Sequence, residues 1–441
     1  MKFQYFGETC MEEAHRPFLK AYREWQRKVQ MLFQPGPNDS EAHLVDSWGA
    51  RWKRLRGLVS PQFSNNSLKK VLHTIDDSAK QLMQQFAKVE GQEIDILVYF
   101  QEYTLDTICR IALGQDETKI GKPNSLAGIK KAFGRDPREP LIFLAAAIPA
   151  FTKFFRKAFI IVALCTQFEA LKILFRIKRI LKERTKEKES RPADFQKERP
   201  DFIDLFLDAK SDDVDLKAEA GMSRNEVQTR HMLEDEILFS CFLFLFAGFD
   251  TTANSMSYTA WYLAKNPEIQ KRLQEEIEQV CPDKDISYEQ IGELKLMDAV
   301  FKEALRLHPL ATTAIGRVAG NDLELGGVKL EKGDFVQIDA YTLQTDPEIW
   351  GDDAEEFNPD RWQGLNPEQK DAYVAFGGGP RQCVGMRLAL MEEKLAMAYL
   401  LRDYELLPGS GFEKTLSYKG WMTVAPNSVT VTLKKRDITI E

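Results

Sequence analysis

The chain of 441 residues has little of what marks several large protein classes. Its six cysteines, Cys10, Cys109, Cys165, Cys241, Cys281 and Cys383, stand far apart with no C-x-x-C pair, so neither a disulfide framework nor a zinc site is indicated. A reducing, cytosol-facing compartment fits that usage. The net charge of −7 supplies no basic surplus for nucleic acid. No run reaches the roughly 20 apolar residues of a bilayer span. The longest candidates are LIFLAAAIPAF (141–151), AFIIVALC (158–165) and ILFSCFLFLFAGF (237–249). The last reads as a buried helix; 141–165, with Lys153, Arg156 and Lys157 interspersed, also suits a surface that dips into a membrane. The opening MKFQYFGETCMEEAHR has no signal-peptide pattern, and there are no repeats or low-complexity tracts.

What is present is globular, with 44% hydrophobic and 11% aromatic residues, too many for a disordered chain. Apolar residues at three-to-four spacing predict helices over 68–90 and 266–280, the second opened by Pro267. The heavily charged 178–232 reads as exposed linkers around one short helix, DFIDLFLDA. Alternation at 322–339 and 429–435 predicts strands. The fold class is therefore mainly α, with small β-sheets in the last third.

Residues 376–385, FGGGPRQCVG, raise the central question: a lone cysteine held in a tight turn. Glycines at 377–379 permit a close turn, Pro380 stiffens it, and the helical MRLALMEEKLAMAYLL follows Gly385. Cys383 thus precedes a helix N-terminus, where free N–H groups and the dipole stabilise a thiolate. A thiolate that ligates haem iron needs that arrangement; a buried structural cysteine is the plainer reading. The spacing Phe376, Gly379, Arg381, Cys383, Gly385 resembles the haem-binding signature of the cytochrome P-450 superfamily.

Four further stretches carry the same resemblance. AGFDTT (247–252) is similar to the family's distal-helix motif: Ala247 and Thr251 share a helix face, Gly248 adjoins them, and Asp250 with Thr251 forms an acid–alcohol pair suited to proton relay. A glycine in mid-helix costs about 1 kcal/mol, so a local opening of the helix over bound oxygen would explain Gly248. Glu303 and Arg306 form E-x-x-R, ordinarily a solvated pair. With FNPDRW (357–362), the resemblance implies a buried triad of Glu303, Arg306 and Arg361. WKRLR places Trp52 and Arg56 on one face and matches W-x-x-x-R, while Arg317 and Arg381 fall where the family puts further donors to the haem propionates.

The resemblance runs from about residue 45 to the end and is nearest in flavour to the animal microsomal branch with the family-3 drug oxidases and thromboxane synthase. It implies a cytochrome P-450 fold with one catalytic domain over 45–441 around buried haem b, Cys383 being the metal ligand, and an unassigned segment over 1–44. It implies a monooxygenase that takes electrons from NADPH through a cytochrome reductase and inserts one atom of O2 into a lipophilic small molecule. It also implies the cytosolic face of the endoplasmic reticulum, with peripheral membrane contact. Residues 244–252, 311–316 and 420–424, with Phe244, Phe246, Ile315, Trp421 and Met422, would line the pocket. Only 51 residues precede Trp52, where relatives have well over a hundred, so a short N-terminus is expected. LQTDP (343–347) stands where relatives show His-Arg before Asp-Pro. The alternatives are a haem-thiolate isomerase or dehydratase of lipid peroxides, and an inactive haem binder.

Overall fold

Ser64 starts a helix by accepting a hydrogen bond from the N–H of Ser67, and Asn65–Phe86 then buries Leu68, Val71, Ile75, Ala79, Leu82 and Phe86 along one face. Pro267 opens the helix Pro267–Val280, where its missing N–H would have had no partner. The computed structural model describes residues 43–45, 47, 49–115, 117–122, 168–190, 192, 201–209, 232–311, 315–419 and 423–437. The expectations for 141–165, 312–314 and 420–422 lie outside them.

The charged stretch after 178 departs from expectation. Phe168–Ser190 is one continuous helix, so KERTKEKES is helical and not a linker. Ile177 and Leu181 are buried one turn apart, and Arg179–Glu183 and Arg184–Glu187 pair along the helix surface. The expected short helix follows at Phe202–Asp208, closed by a reciprocal capping box between Asp201 and Asp204.

The apolar run at 237–249 belongs to a 32-residue helix, Glu234–Lys265. That helix is long and apolar enough to cross a membrane by length and composition, but 56% of its most apolar window is buried inside the protein. It packs along Ile96–Leu113 and touches Lys295–Leu307 and the helix Met386–Asp403 that follows the cysteine turn. One hydrophobic cluster runs from Leu44 to Leu433 around it.

The strands are short and antiparallel. Thr430–Lys435 lies between Glu93–Asp95 and Tyr404–Pro408 in a three-stranded sheet. Three two-stranded pairs join Arg317–Val318 to Phe335–Val336, Leu323–Leu325 to Val328–Leu330, and Tyr418–Lys419 to Ala425–Pro426. The mainly helical architecture with small sheets is the one expected, except that Glu93–Asp95 brings an early strand into the three-stranded sheet.

Where Lys295–Leu307 ends, His308 is clamped by rings. It stacks on Tyr258 at 4.6 Å, Tyr262 Oη lies 2.9 Å from its Nε2, and Tyr418 Oη lies 3.2 Å from its Nδ1. Burial, with Lys265 adding repulsion, lowers its pKa to about 4. Between pH 6.5 and 4 the unfolded chain therefore binds a proton that the folded chain does not. Stability is complete above pH 6.5 and falls as pH drops towards 4, by at most about 3 kcal/mol. Urea midpoints at pH 7 and 4.5 should show this slope, and His308→Gln should flatten it; an unchanged slope would assign it to other groups.

Candidate functional site

The cysteine turn is built by backbone. Gly377 and Gly379 adopt φ of 70° and 67°, a region that costs an ordinary residue about 1–2 kcal/mol. The Cys383 N–H donates to the Phe376 carbonyl at 2.9 Å, and Gly385 caps the helix Met386–Asp403. The thiol is solvent-accessible although protein surrounds it deeply, so it lines a concave wall and does not project from the surface. Burial raises its pKa, against the N–H groups of Gly385 and Met386 and the charge of Arg56, which favour the thiolate. The helix-start donors expected from the sequence are in place.

The arginines converge on this turn. Arg381 donates to the carbonyls of Val45 at 3.2 Å and Ser47 at 2.6 Å, and its guanidinium lies 4.4 Å over the Trp52 ring. Its pKa is lowered by burial first, then by the charges of Arg317 and Arg56. Arg317 is exposed and donates to the Gly316 carbonyl. Among the described residues no carboxylate pairs with Arg56, Arg317 or Arg381. Three like charges gathered without a counter-ion are a receptor for an anion, and two propionates fit that need. Arg54 and Arg51 hold the helix Gly49–Val59 to buried Glu236, at the start of the long helix; the Arg51 contact is 3.6 Å. Trp52 and Arg56 are thereby fixed relative to that helix.

On the long helix, Ala247 is exposed amid largely buried neighbours, and Thr251 Oγ1 donates back to the Ala247 carbonyl at 2.6 Å. These two share a face as expected. Two other expectations are corrected. Gly248 does not mark an opening, since the helix is continuous; a Cβ there would meet Ile108 Cδ1 at 3.1 Å, so the glycine admits the neighbouring helix Ile96–Leu113. Asp250 is not bonded to Thr251. Its carboxylate accepts from Gln101 Nε2, Asn254 Nδ2 and Thr423 Oγ1, each at 3.1 Å. Adjacent helix residues diverge by about 100°, which is why the two groups find different partners. Phe244 also differs from its expected pocket role: it is buried among Phe63, Phe202 and Phe206.

The triad forms as implied, with Glu303 and Arg306 fully buried and Arg361 partly buried. Glu303 accepts from Arg306 Nε and Nη2 at 2.9 Å and from Arg361 Nε at 2.8 Å. Two residues outside the triad complete it. Trp362 Nε1 donates to Glu303 at 2.9 Å, and Gln344 of LQTDP bonds the Leu305 and Arg306 carbonyls while accepting from Val374 N–H at 2.8 Å. Gln344 thus ties the triad helix to the strand of chain that enters the cysteine turn. Asp360 lies outside the triad and grips Arg272 with both oxygens. Gln101, Asn254 and Thr423 carried no motif and were not legible as partners of Asp250.

Haem therefore fits what the residues present: a cysteine with stabilising donors, arginines that no carboxylate among the described residues pairs, and a long helix that carries a small exposed side chain. The comparisons agree. The family model "Cytochrome P450" matches residues 13–433. "Putative cytochrome P450 CYP13A10" of Caenorhabditis elegans is 41% identical over 430 residues, covering 95% of this chain and 83% of that protein. "Putative cytochrome P450 CYP13A2" of the same organism is 39% identical over 429 residues, covering 96% and 82%. With the cysteine turn, the arginine cluster and the buried triad all formed in one fold, this chain belongs to the cytochrome P450 family of haem-dependent oxidoreductases.

Proposed function

We propose that the protein inserts one oxygen atom of O2 into a lipophilic small molecule, with electrons from NADPH delivered by a cytochrome reductase, and that its haem is haem b. The observation that carries this is the Cys383 turn, where the N–H groups of Gly385 and Met386 reach the thiol at a helix start, beside three arginines that no carboxylate among the described residues pairs. Bound haem would supply the oxygen activation. Cys383 would hold the iron, and Arg56, Arg317, Arg381 and Trp52 would hold the propionates. Thr251 Oγ1, anchored on the Ala247 carbonyl, presents a hydroxyl on the exposed face of the long helix and can hand on a proton there. The carbon monoxide difference spectrum of the reduced chain tests the reading: a strongly red-shifted Soret band supports it, and an imidazole-like band or none refutes it.

Thr251→Ala should lower product formed per NADPH about tenfold or more while NADPH oxidation continues. A variant as tightly coupled as the wild type would remove Thr251 from proton handling.

The cytosolic face of the endoplasmic reticulum is the location we propose. The free thiols of Cys109, Cys241, Cys281 and Cys383 suit a reducing compartment. Phe175, 70% exposed among Lys178, Arg179 and Lys182 on one helix face, suits peripheral contact with an anionic bilayer. Recovery of the protein in the soluble fraction alone would refute the membrane contact.

A further inference from the structure

Asp250 is the residue whose surroundings differ most from the role its motif suggests. Both carboxylate oxygens are engaged, Oδ1 by Gln101 and Oδ2 by Asn254 and Thr423. All three donors are neutral, and they come from different places: Gln101 from the helix Ile96–Leu113, Asn254 from the next turn of the long helix, and Thr423 from the far end of the chain. Gln101 and Asn254 are buried, and each spends its amide N–H on Asp250 while its side-chain carbonyl oxygen has no partner among the described residues. These amides are oriented to serve the carboxylate.

Thr423 follows the strand Tyr418–Lys419 in a hairpin whose base Asn427 ties, its N–H and Nδ2 donating to the Ser417 carbonyl and Oγ at 2.9 Å and its carbonyl accepting from Lys419 Nζ at 3.0 Å. That hairpin has only two residue pairs, Tyr418 with Pro426 and Lys419 with Ala425. A ladder that short is marginal by itself. Next to Thr423, two ties reach other elements: Val424 N–H donates to the Leu310 carbonyl at 2.8 Å, and Tyr258 Oη donates to the Val424 carbonyl at 3.0 Å. Asp250 and Tyr258, two turns apart on the long helix, thus hold consecutive residues of the hairpin.

We infer that Asp250 is a positioning residue that staples Thr423, and with it the hairpin bordering the substrate pocket, to the long helix and so sets which lipophilic molecules fit. A proton shuttle would have to release these bonds in every cycle; a staple keeps them. The inference rests on the proposed function for a lipophilic substrate, and on the family resemblance for placing 420–424 at its pocket.

The test is amide hydrogen exchange at Val424 in the full chain as purified, for the wild type, Thr423→Val, Thr423→Ser, Asp250→Asn and the double variant Asp250→Asn/Thr423→Val. Affinity for the lipophilic dye Nile red and the carbon monoxide spectrum are recorded on the same samples. Thr423→Val, which keeps shape and removes the hydroxyl, should speed Val424 exchange about tenfold, equivalent to about 1.4 kcal/mol, and change Nile red affinity at least about threefold. Thr423→Ser should restore both. Asp250→Asn turns a donor towards donors and should match or exceed Thr423→Val, and the double variant should be no faster than the faster single one. Wild-type exchange in Thr423→Val, failure of serine to rescue, or acceleration in the double variant equal to the product of the two single effects would overturn the staple. A missing red-shifted band with the exchange pattern intact would instead defeat the functional reading alone.

Discussion

Cys383→Ala abolishes the red-shifted carbon monoxide band and all turnover, while the fold survives. The two halves have separate causes. The thiolate is the only group at this turn that can supply a soft, electron-rich ligand to iron, and an alanine methyl cannot replace it. The turn itself is held by backbone: the residue 383 N–H still reaches the Phe376 carbonyl, and Gly377 and Gly379 keep their left-handed conformations. Because the lost thiol is solvent-accessible, the unfolding free energy of the haem-free chain should change by less than about 1 kcal/mol. Spectrum and urea denaturation together check the claim. A red-shifted band surviving in the variant would move the ligand elsewhere in the chain.

Arg306→Met should behave in the opposite way, destabilising the chain before haem enters the argument. Arg306 is fully buried and donates to both Glu303 oxygens and to the carbonyls of Gln344 at 2.7 Å, Ala354 at 2.6 Å and Glu356 at 3.2 Å, with the Trp350 ring 5.0 Å from its guanidinium carbon. Removing it leaves a buried carboxylate with fewer donors, which costs about 3–5 kcal/mol. The three stranded carbonyls add to that loss. Arg306→Lys should recover little, because an ammonium cannot reproduce the planar fork. Denaturation beside Cys383→Ala separates the two variants. A loss below about 1 kcal/mol for Arg306→Met would mean the triad does not stabilise the fold.

The difference between the variants follows from where their bonds lie. The backbone that holds Cys383 is bonded within a few residues, whereas Arg306 ties its helix to segments about 40 and 50 residues later. The same division explains what could be read in advance. The helix start at Pro267, the glycine turn before Cys383 and the face shared by Ala247 and Thr251 depend on local periodicity and caps. The charged stretch at 178–190 misled because its apolar anchors, Ile177 and Leu181, are sparse and its helix is completed by packing.

By itself the sequence determined the helical class, the turn that presents Cys383 and the residues able to serve a haem, because hydrogen-bond periodicity and glycine conformations act over a few residues. Only the tertiary structure decided what those residues meet. It turned Gly248 towards Ile108, gave Glu303 the indole of Trp362, made Gln344 the bridge to the cysteine turn, and gathered Arg56, Arg317 and Arg381 with no paired carboxylate among the described residues. It also gave Asp250 to Gln101 and Thr423, partners 149 and 173 residues away, and not to the adjacent Thr251. No local rule reaches that far: which donor a buried carboxylate finds depends on how whole helices pack, and packing is a property of the complete chain.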